Sequence, residues 1–423
     1  MDAEIIYDNG ERFKLSDLSV EVTDFKVSSM VKQSVYEDIE GANRVDYGAE
    51  YKHRTISIPF IMTAYDLHDF AHLRNEIFAK VDSLESFYIR EMRRPIRRQY
   101  EFVDFNEKPK EREGADDQYV DGKQYRVRLA DVIEIEQRGV KGVGELVFET
   151  TESPYAQSVY TTLELHDTGY SATAEKYGLA DSIDDEKVKY RFGPTLDTTN
   201  LTSDLFEQGN IHNSQGFDLD VAIEYARTKD FHSVIKGNRY KLKLSESSGN
   251  ANFVRIFHYN SDGSFIGNDA GMSNVNGNGT SEYTFTALGE RLRLVVYPYG
   301  SNQVLVSDIG TTTQISLSSY STASTFTVYN AGNVPILYPQ IELTGVTGSN
   351  FTISNVTTGE TVQINKTLNN RTIGIGLLIT DNGLNIFRDT NRKSIRLAPG
   401  DNQFEVTGTT FEEVSFDFKF KYK

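Results

Sequence analysis

Val414-Ser-Phe-Asp-Phe-Lys-Phe-Lys-Tyr422 is the stretch that decides how this chain is read. Val414, Phe416, Phe418, Phe420 and Tyr422 share one parity; Ser415, Asp417, Lys419, Lys421 and Lys423 share the other. Strict alternation at period two predicts a β-strand with one buried and one wet face. Working outward, Leu397-Ala-Pro-Gly-Asp-Asn-Gln-Phe404 reads as a turn and the start of a strand. Val328-Tyr-Asn-Ala-Gly-Asn-Val-Pro335 reads as a strand, a glycine bend and a restart, and Asn355-Val-Thr-Thr-Gly-Glu360 as a hairpin tip. The block from Phe326 to Lys423 is therefore expected to be an antiparallel sandwich of short strands.

With 423 residues, two or three domains are expected. There is no cysteine, so neither a disulfide nor a thiolate metal site can form. A formal charge of -17 disfavours specific nucleic-acid binding and anionic membranes, because phosphate affinity comes from Lys and Arg. The chain carries 24 Tyr, 25 Phe and 32 Gly against 5 Met, a β-rich balance rather than a helical or disordered one. Met1-Asp-Ala-Glu4 carries no secretory signal pattern, and no apolar run is long enough for membrane insertion.

The first unit ends near Thr150. Glu21–Val27 and Arg54–Phe60 read as strands. A helix follows, with Thr63 and Asp66 at capping-box spacing and Met62 with Leu67 as a hydrophobic staple. Leu67, Phe70, Leu73, Ile77 and Val81 form its apolar stripe. Strands resume at Ser86–Ile89 and Gln99–Val103, and Tyr125, Val127, Leu129, Ile133 and Ile135 share one parity of a long strand. The charged loop Asn106–Asp121 lies between them. This predicts an α+β unit, one helix on a sheet whose edges must be covered or paired. After Glu152-Ser-Pro-Tyr155 comes a linking stretch with a helix-prone piece, Ala172–Asp181, and an acidic run, Asp184–Glu186. Lys187–Phe192 reads as the first strand of the sandwich, continued only at Thr325–Tyr329.

The order Tyr329-Asn-Ala-Gly332, Tyr338-Pro339, Asn355-Val-Thr-Thr-Gly359, Leu397-Ala-Pro-Gly-Asp-Asn402 and a Phe-alternating last strand resembles the distal tail proteins (Dit family) of long-tailed phages infecting Gram-positive bacteria. The resemblance covers the chain outside the central stretch. It implies a mainly β fold with an α+β N-terminal belt domain and a galectin-like β-sandwich C-terminal domain, here interrupted by an inserted β jelly-roll. The implied division is 1–152 for the belt, 153–192 plus 323–423 for the sandwich, and 193–322 for the insert. The insert has its own strand signals: Tyr240, Leu242 and Leu244 alternate, and Phe253–Phe257 meets Phe265-Ile266 through Asn260-Ser-Asp-Gly263. Its pattern, chiefly His258–Phe265, resembles jelly-roll carbohydrate-binding modules.

Few residues suggest chemistry. His68 and His72 share a helix face, as in a zinc-protease helix, but no third ligand accompanies them and a polar face explains them better. Arg90–Arg98 is a dense basic run, read as ion-pairing rather than DNA contact. Asn260–Asp269 partly echoes a calcium loop, with His258 where the first Asp would stand, and is read as a hairpin. Sugar rings stack on aromatic faces while their hydroxyls need amides and carboxylates. Tyr259, Asn260, Asp262, Tyr297, Tyr299 and Asn302 supply that mixture and are the candidate carbohydrate-binding residues, with core packing as the alternative for each Tyr.

The resemblance implies a structural virion protein, not an enzyme: a homo-hexameric ring at the virion tail tip, assembled in the host cytoplasm. Its implied partners are the tail-tube protein, the tail-associated hub or lysin protein, a receptor-binding protein and host cell-wall polysaccharide. No cofactor is expected, apart from a structural calcium that jelly-roll modules often hold and that this sequence does not place. Alternatives are a free lectin or adhesin, a wall hydrolase, or an insert that serves only as a docking surface for another tail protein.

Overall fold

The computed structural model describes residues 1–37, 45–93, 118–119, 122–168, 189–220, 224–247, 252–269, 279–298 and 303–423. Gln99–Val103, the Asn106–Asp121 loop except for a two-residue strand at 118–119, the basic run beyond Arg93, Ala172–Asp181, Asp184–Glu186, Tyr299 and Asn302 lie outside them. The chain is mainly β, with two α-helices, α1 (Leu67–Val81) and α2 (Thr162–Thr168), among the described residues.

The N-terminal sheet runs in the order Arg12–Lys14, Asp2–Ile6, Phe87–Arg93, Lys123–Leu129, Lys141–Thr150, Thr55–Thr63, Val20–Val22. In Thr55–Thr63, Ile56, Ile58, Phe60 and Met62 are buried and the residues between them are not, the period-two signature of a half-buried strand. They share a core with Phe70, Leu73, Ile77 and Val81 of α1, which closes one face of the sheet. The cap of α1 differs from the expected one. Asp66 is the N-cap and accepts from the His68 and Asp69 backbone N–H groups, both at 2.8 Å, while Thr63 still belongs to the preceding strand. Leu67 is 64% exposed, so neither the staple with buried Met62 nor the top of the stripe forms. The long strand expected through Ile135 breaks into Lys123–Leu129 and Ile135–Arg138, both paired to Lys141–Thr150. Glu21–Val27 likewise divides into Val20–Val22 and Lys26–Val27.

Lys32–Glu37 and Val45–Tyr51 make a separate two-stranded ribbon. Every residue of Lys32–Glu37 is exposed, and Val31, Val35 and Tyr47 present apolar surface to solvent.

In the C-terminal part, Arg191–Phe192 pairs with Glu413–Asp417, which pairs with the long strand Gln340–Asn355. That strand shifts register near Gly345 and Gly348, both at positive φ. Its first half pairs with Glu413–Asp417 and Leu368–Ile375, its second half with Glu360–Ile364 and Gly400–Thr410. Both halves turn side chains into one core with Phe404, Phe411, Phe416 and Tyr190. Alternation holds to Tyr422, but the terminal strand is not continuous. Lys421–Tyr422 leaves the sandwich sheet and pairs with Ala156–Ser158 beside the N-terminal sheet. The intervening turn is laced by Thr162, whose Oγ1 donates to Phe416 O at 2.7 Å and accepts from Phe418 N at 3.1 Å, and by Ser158, whose Oγ accepts from Phe420 N.

Three buried asparagines explain the turn motifs. Asn402 Oδ1 accepts from Ala398 N at 2.8 Å and from Asn355 Nδ2 at 3.0 Å, while its Nδ2 donates to Ala398 O and Gly400 O. Asn355 also donates to Arg396 O and accepts from Thr357 N. Asn330 donates to Val334 O and Ala398 O and accepts from Gly332 N. The side chains thus replace backbone partners that the turns cannot supply. At Gly332 a Cβ would collide with the backbone of Lys421, so only glycine fits there.

Between Phe192 and Ala323 the described residues build two large sheets, besides the two-stranded pair Asn210–Ile211 with Asp218–Leu219. Leu196–Leu201, Thr313–Tyr320, Arg239–Glu246 and Gly279–Thr286 form a four-stranded sheet; Phe206–Gln208, Ala226–Thr228, Arg291–Pro298, Asn252–Tyr259 and Phe265–Asp269, with His232–Ser233, form a six-stranded one. Leu242, Leu244, Ile315 and Phe285 of the first meet Val254, Ile256, Leu292 and Leu294 of the second in a separate core. Entry and exit are adjacent: Leu196 pairs with Tyr320, and Thr195 N donates to Ser324 Oγ.

Candidate functional site

The outer face of the six-stranded sheet carries the aromatic residues singled out in the sequence. Phe253, Phe257 and Tyr259 come from one strand, Val295 and Tyr297 from its neighbour. The segment through Asn210–Ile211 and Asp218–Leu219 covers this face. Tyr259 is 2% exposed and its hydroxyl donates to Gly216 O at 2.8 Å; Tyr297 is 8% exposed and donates to Asn210 Oδ1 at 2.8 Å. The Tyr297 ring is stacked on Phe253 at 4.8 Å and lies 4.9 Å from Tyr225. Burial pushes both phenols up to about 12. Both tyrosines are pillars under a covering segment, so neither ring is open to a sugar, a correction to the sequence expectation.

Arginines clamp the cover. Arg227 binds Glu207 at 2.8 Å, Asp220 at 2.7 Å and Asn210 O at 2.9 Å; Arg293 binds Asp218 at 2.5 Å and donates from Nε to Thr228 O at 3.0 Å. His258 is fully buried, with Nε2 3.1 Å from Asp269 Oδ2 and Nδ1 3.3 Å from Leu288 N.

Asn260 and Asp262 shape the expected hairpin. Asn260 N donates to Ser264 O, Gly263 sits at φ +84°, and Asp262 Oδ1 accepts from Ser264 N and Oγ. Those bonds hold the Asp262 carboxyl below its ordinary range. The sequence reading missed the aromatic beside this tip. Phe231 is 38% exposed, and a Cβ on Gly263 would stand 3.9 Å from its ring. Its ring lies edge-on to Tyr259 at 4.9 Å, with the Arg291 guanidinium 5.4 Å away. Lys229-Asp-Phe-His232, an aromatic among polar residues without strand alternation, was the available signal. The tip therefore joins a partly exposed ring, which the Arg291 and Arg293 guanidinium groups also approach, to an exposed carboxylate and an amide.

Among the described residues, no group of three His, Cys, Asp or Glu side chains is placed to hold a metal. His68 and His72 lie on the exposed face of α1. No helix among the described residues is long and apolar enough to cross a membrane.

Residues 13–150 match the family model for the phage tail protein RIFT-related domain. That match spans about a third of the 423 residues. The matched stretch holds α1, most of the N-terminal sheet and the Lys32–Tyr51 ribbon. Among solved structures, the chain is similar to the Dit protein of phage SPP1, described as a paradigm of the hub adsorption apparatus in phages infecting Gram-positive bacteria, with 10% identity over 99% of both chains and a TM-score of 0.38. It is also similar to a chain of the phage P2 baseplate in its activated conformation with Ca, with 9% identity over 98% of this chain and 97% of that one and a TM-score of 0.23. None of the curated proteins matches it.

Proposed function

We propose that this chain is a phage tail protein, a structural component of the virion tail, and there a distal tail hub. Its N-terminal unit, 1–152, closes into a homo-hexameric ring between the tail tube and the tail-tip proteins. The sandwich, 153–192 with 323–423, stands outward and carries the insert, 193–322, which grips host cell-wall saccharide. The observation that carries the ring is the ribbon Lys32–Glu37 with Val45–Tyr51, which joins no other sheet and exposes Val31, Val35 and Tyr47. Two strands alone are marginal in water, and exposed edges with apolar side chains call for a partner. In a ring each copy offers the same surfaces to the next, so every ribbon finds a neighbour. Contacts with the tail-tube protein, the tail-associated hub or lysin protein and a receptor-binding protein follow from the same reading.

The saccharide half rests on the hairpin tip, where Phe231 supplies the stacking face and Asn260 and Asp262 the polar contacts. One shallow site is weak, and copies repeated around a ring raise the effective affinity without any new contact. Light scattering on the purified chain beside a Val35→Lys/Tyr47→Lys variant tests the ring: the wild type should be a multimer that the variant loses. A monomeric wild type would contradict the proposal. Sedimentation with purified host walls, comparing wild type with Phe231→Ala, tests the grip; equal retention of the two would remove the tip.

A further inference from the structure

The second sheet of the insert has an outer face unlike the aromatic one. Its residues fall in register rows across the strands. Thr198, Ser318, Lys241 and Thr284 form one row; Asn200, Ser316, Lys243 and Glu282 form the next; Gln314, Ser245 and Thr280 form a third. Every side chain in the three rows is a hydroxyl, an amide or a charge. Neighbouring strands bring these groups about 4.8 Å apart. Part of the face is satisfied internally: Thr198 bonds Ser318 at 2.8 Å, Ser245 bonds Thr280 at 2.9 Å, and Lys241 pairs with Glu282. Asn200, Ser316, Lys243 and Gln314 take no such partner among the described residues. These four line a cavity of about 390 Å³, where Leu201, Ile315 and Gly310 also border the space while the Leu201 and Ile315 side chains turn into the core on the other face.

We propose that this cavity is a second saccharide-binding site of the insert and that it takes a neutral oligosaccharide. The proposal deepens the reading of the insert as a glycan grip and rests on it. Four unpartnered donors and acceptors around one cavity suit a ligand that presents several hydroxyls. Charge selects the neutral class. Glu282 cancels Lys241, leaving Lys243 as the one surplus cation in the rows, on a chain whose formal charge is -17. A polyanion would need several cations and would meet long-range repulsion. Lys243 here acts as a hydrogen-bond donor to hydroxyl oxygens. The cavity and the hairpin tip stand on different sheets of one sandwich, so a branched or long wall polymer can engage both.

The test uses the full-length protein on an array of neutral hexose, N-acetylhexosamine and deoxyhexose oligomers, with polyglycerol phosphate as the charged probe. The expected result is binding to at least one neutral oligomer. An Asn200→Ala/Lys243→Ala/Gln314→Ala variant, with an unchanged melting curve because all three positions are exposed, should bind it roughly tenfold more weakly. Reductive methylation of Lys243 should also slow when that oligomer saturates the wild-type protein. If the triple variant binds normally while Phe231→Ala does not, this site is overturned and the hairpin tip stands. Binding to polyglycerol phosphate alone overturns the ligand class. No binding to any probe overturns both the cavity and the grip.

Discussion

The rings of Phe192 and Phe326 stack 4.8 Å apart with their planes 20° from parallel, although both sheets of the insert lie between them in the sequence. Phe326 in turn lies parallel to Phe404 at 5.8 Å, and Phe192 packs edge-on to Phe416. Arg191–Phe192 and Ala323–Asn330 therefore belong to one sheet, and the buried cluster they share holds no residue from between them. Replacing residues 194–322 by a short Gly-Ser linker should leave a folded protein. The check is a cooperative melt and a retained near-ultraviolet aromatic signal; a molten product would contradict the prediction.

Asn402 makes four hydrogen bonds while fully buried. At roughly 1 kcal/mol for each of the four bonds, Asn402→Ala should destabilise the sandwich by about 4 kcal/mol. Chemical denaturation of the insert-deleted protein measures it. A loss of only a few tenths would show that the turns hold themselves.

Asp381 is 2% exposed and bonded to Arg371 at 2.6 Å and Lys366 at 2.8 Å. Burial alone would raise its carboxyl, but the two cations outweigh burial and hold it below the ordinary value. A depressed folded value means stability that is present above the unfolded value, near 4, and lost as pH falls through the folded one. Asp381→Asn should therefore lower the melting temperature at neutral pH, and the gap to wild type should close in acid. A gap constant from neutral to acid pH would rule this linkage out.

The ribbon is expected to be dispensable for folding and required for assembly. Excising Lys32–Tyr51 removes exposed surface and leaves the core around Ile58, Phe60 and Ile77 intact. The excised protein should melt within a few degrees of the wild-type subunit yet elute as a monomer.

The sequence made the strand parities of the sandwich legible because one buried face imposes period two, and Phe404, Phe416 and Phe420 carry it plainly. The turn motifs were legible as turns, but the Asn330–Asn355–Asn402 linkage exists only once three distant loops converge. Tyr259 and Tyr297 show the opposite limit. Alternation puts them on the outer face of their sheet, as read, but nothing local reveals that Asn210–Leu219 folds over that face. Phe231 escaped for the complementary reason, since it lies outside any alternating run and gains meaning only beside Gly263. The break after Leu129 and the exposure of Leu67 reflect tertiary geometry overriding local pattern.

The central claim is that the N-terminal unit assembles with copies of itself. Native mass spectrometry of the intact chain at micromolar concentration tests it most directly. The account predicts a dominant species of six chains, reduced to single chains when Val35 and Tyr47 are both replaced by lysine. A wild-type spectrum holding only single chains across the accessible concentration range would contradict it.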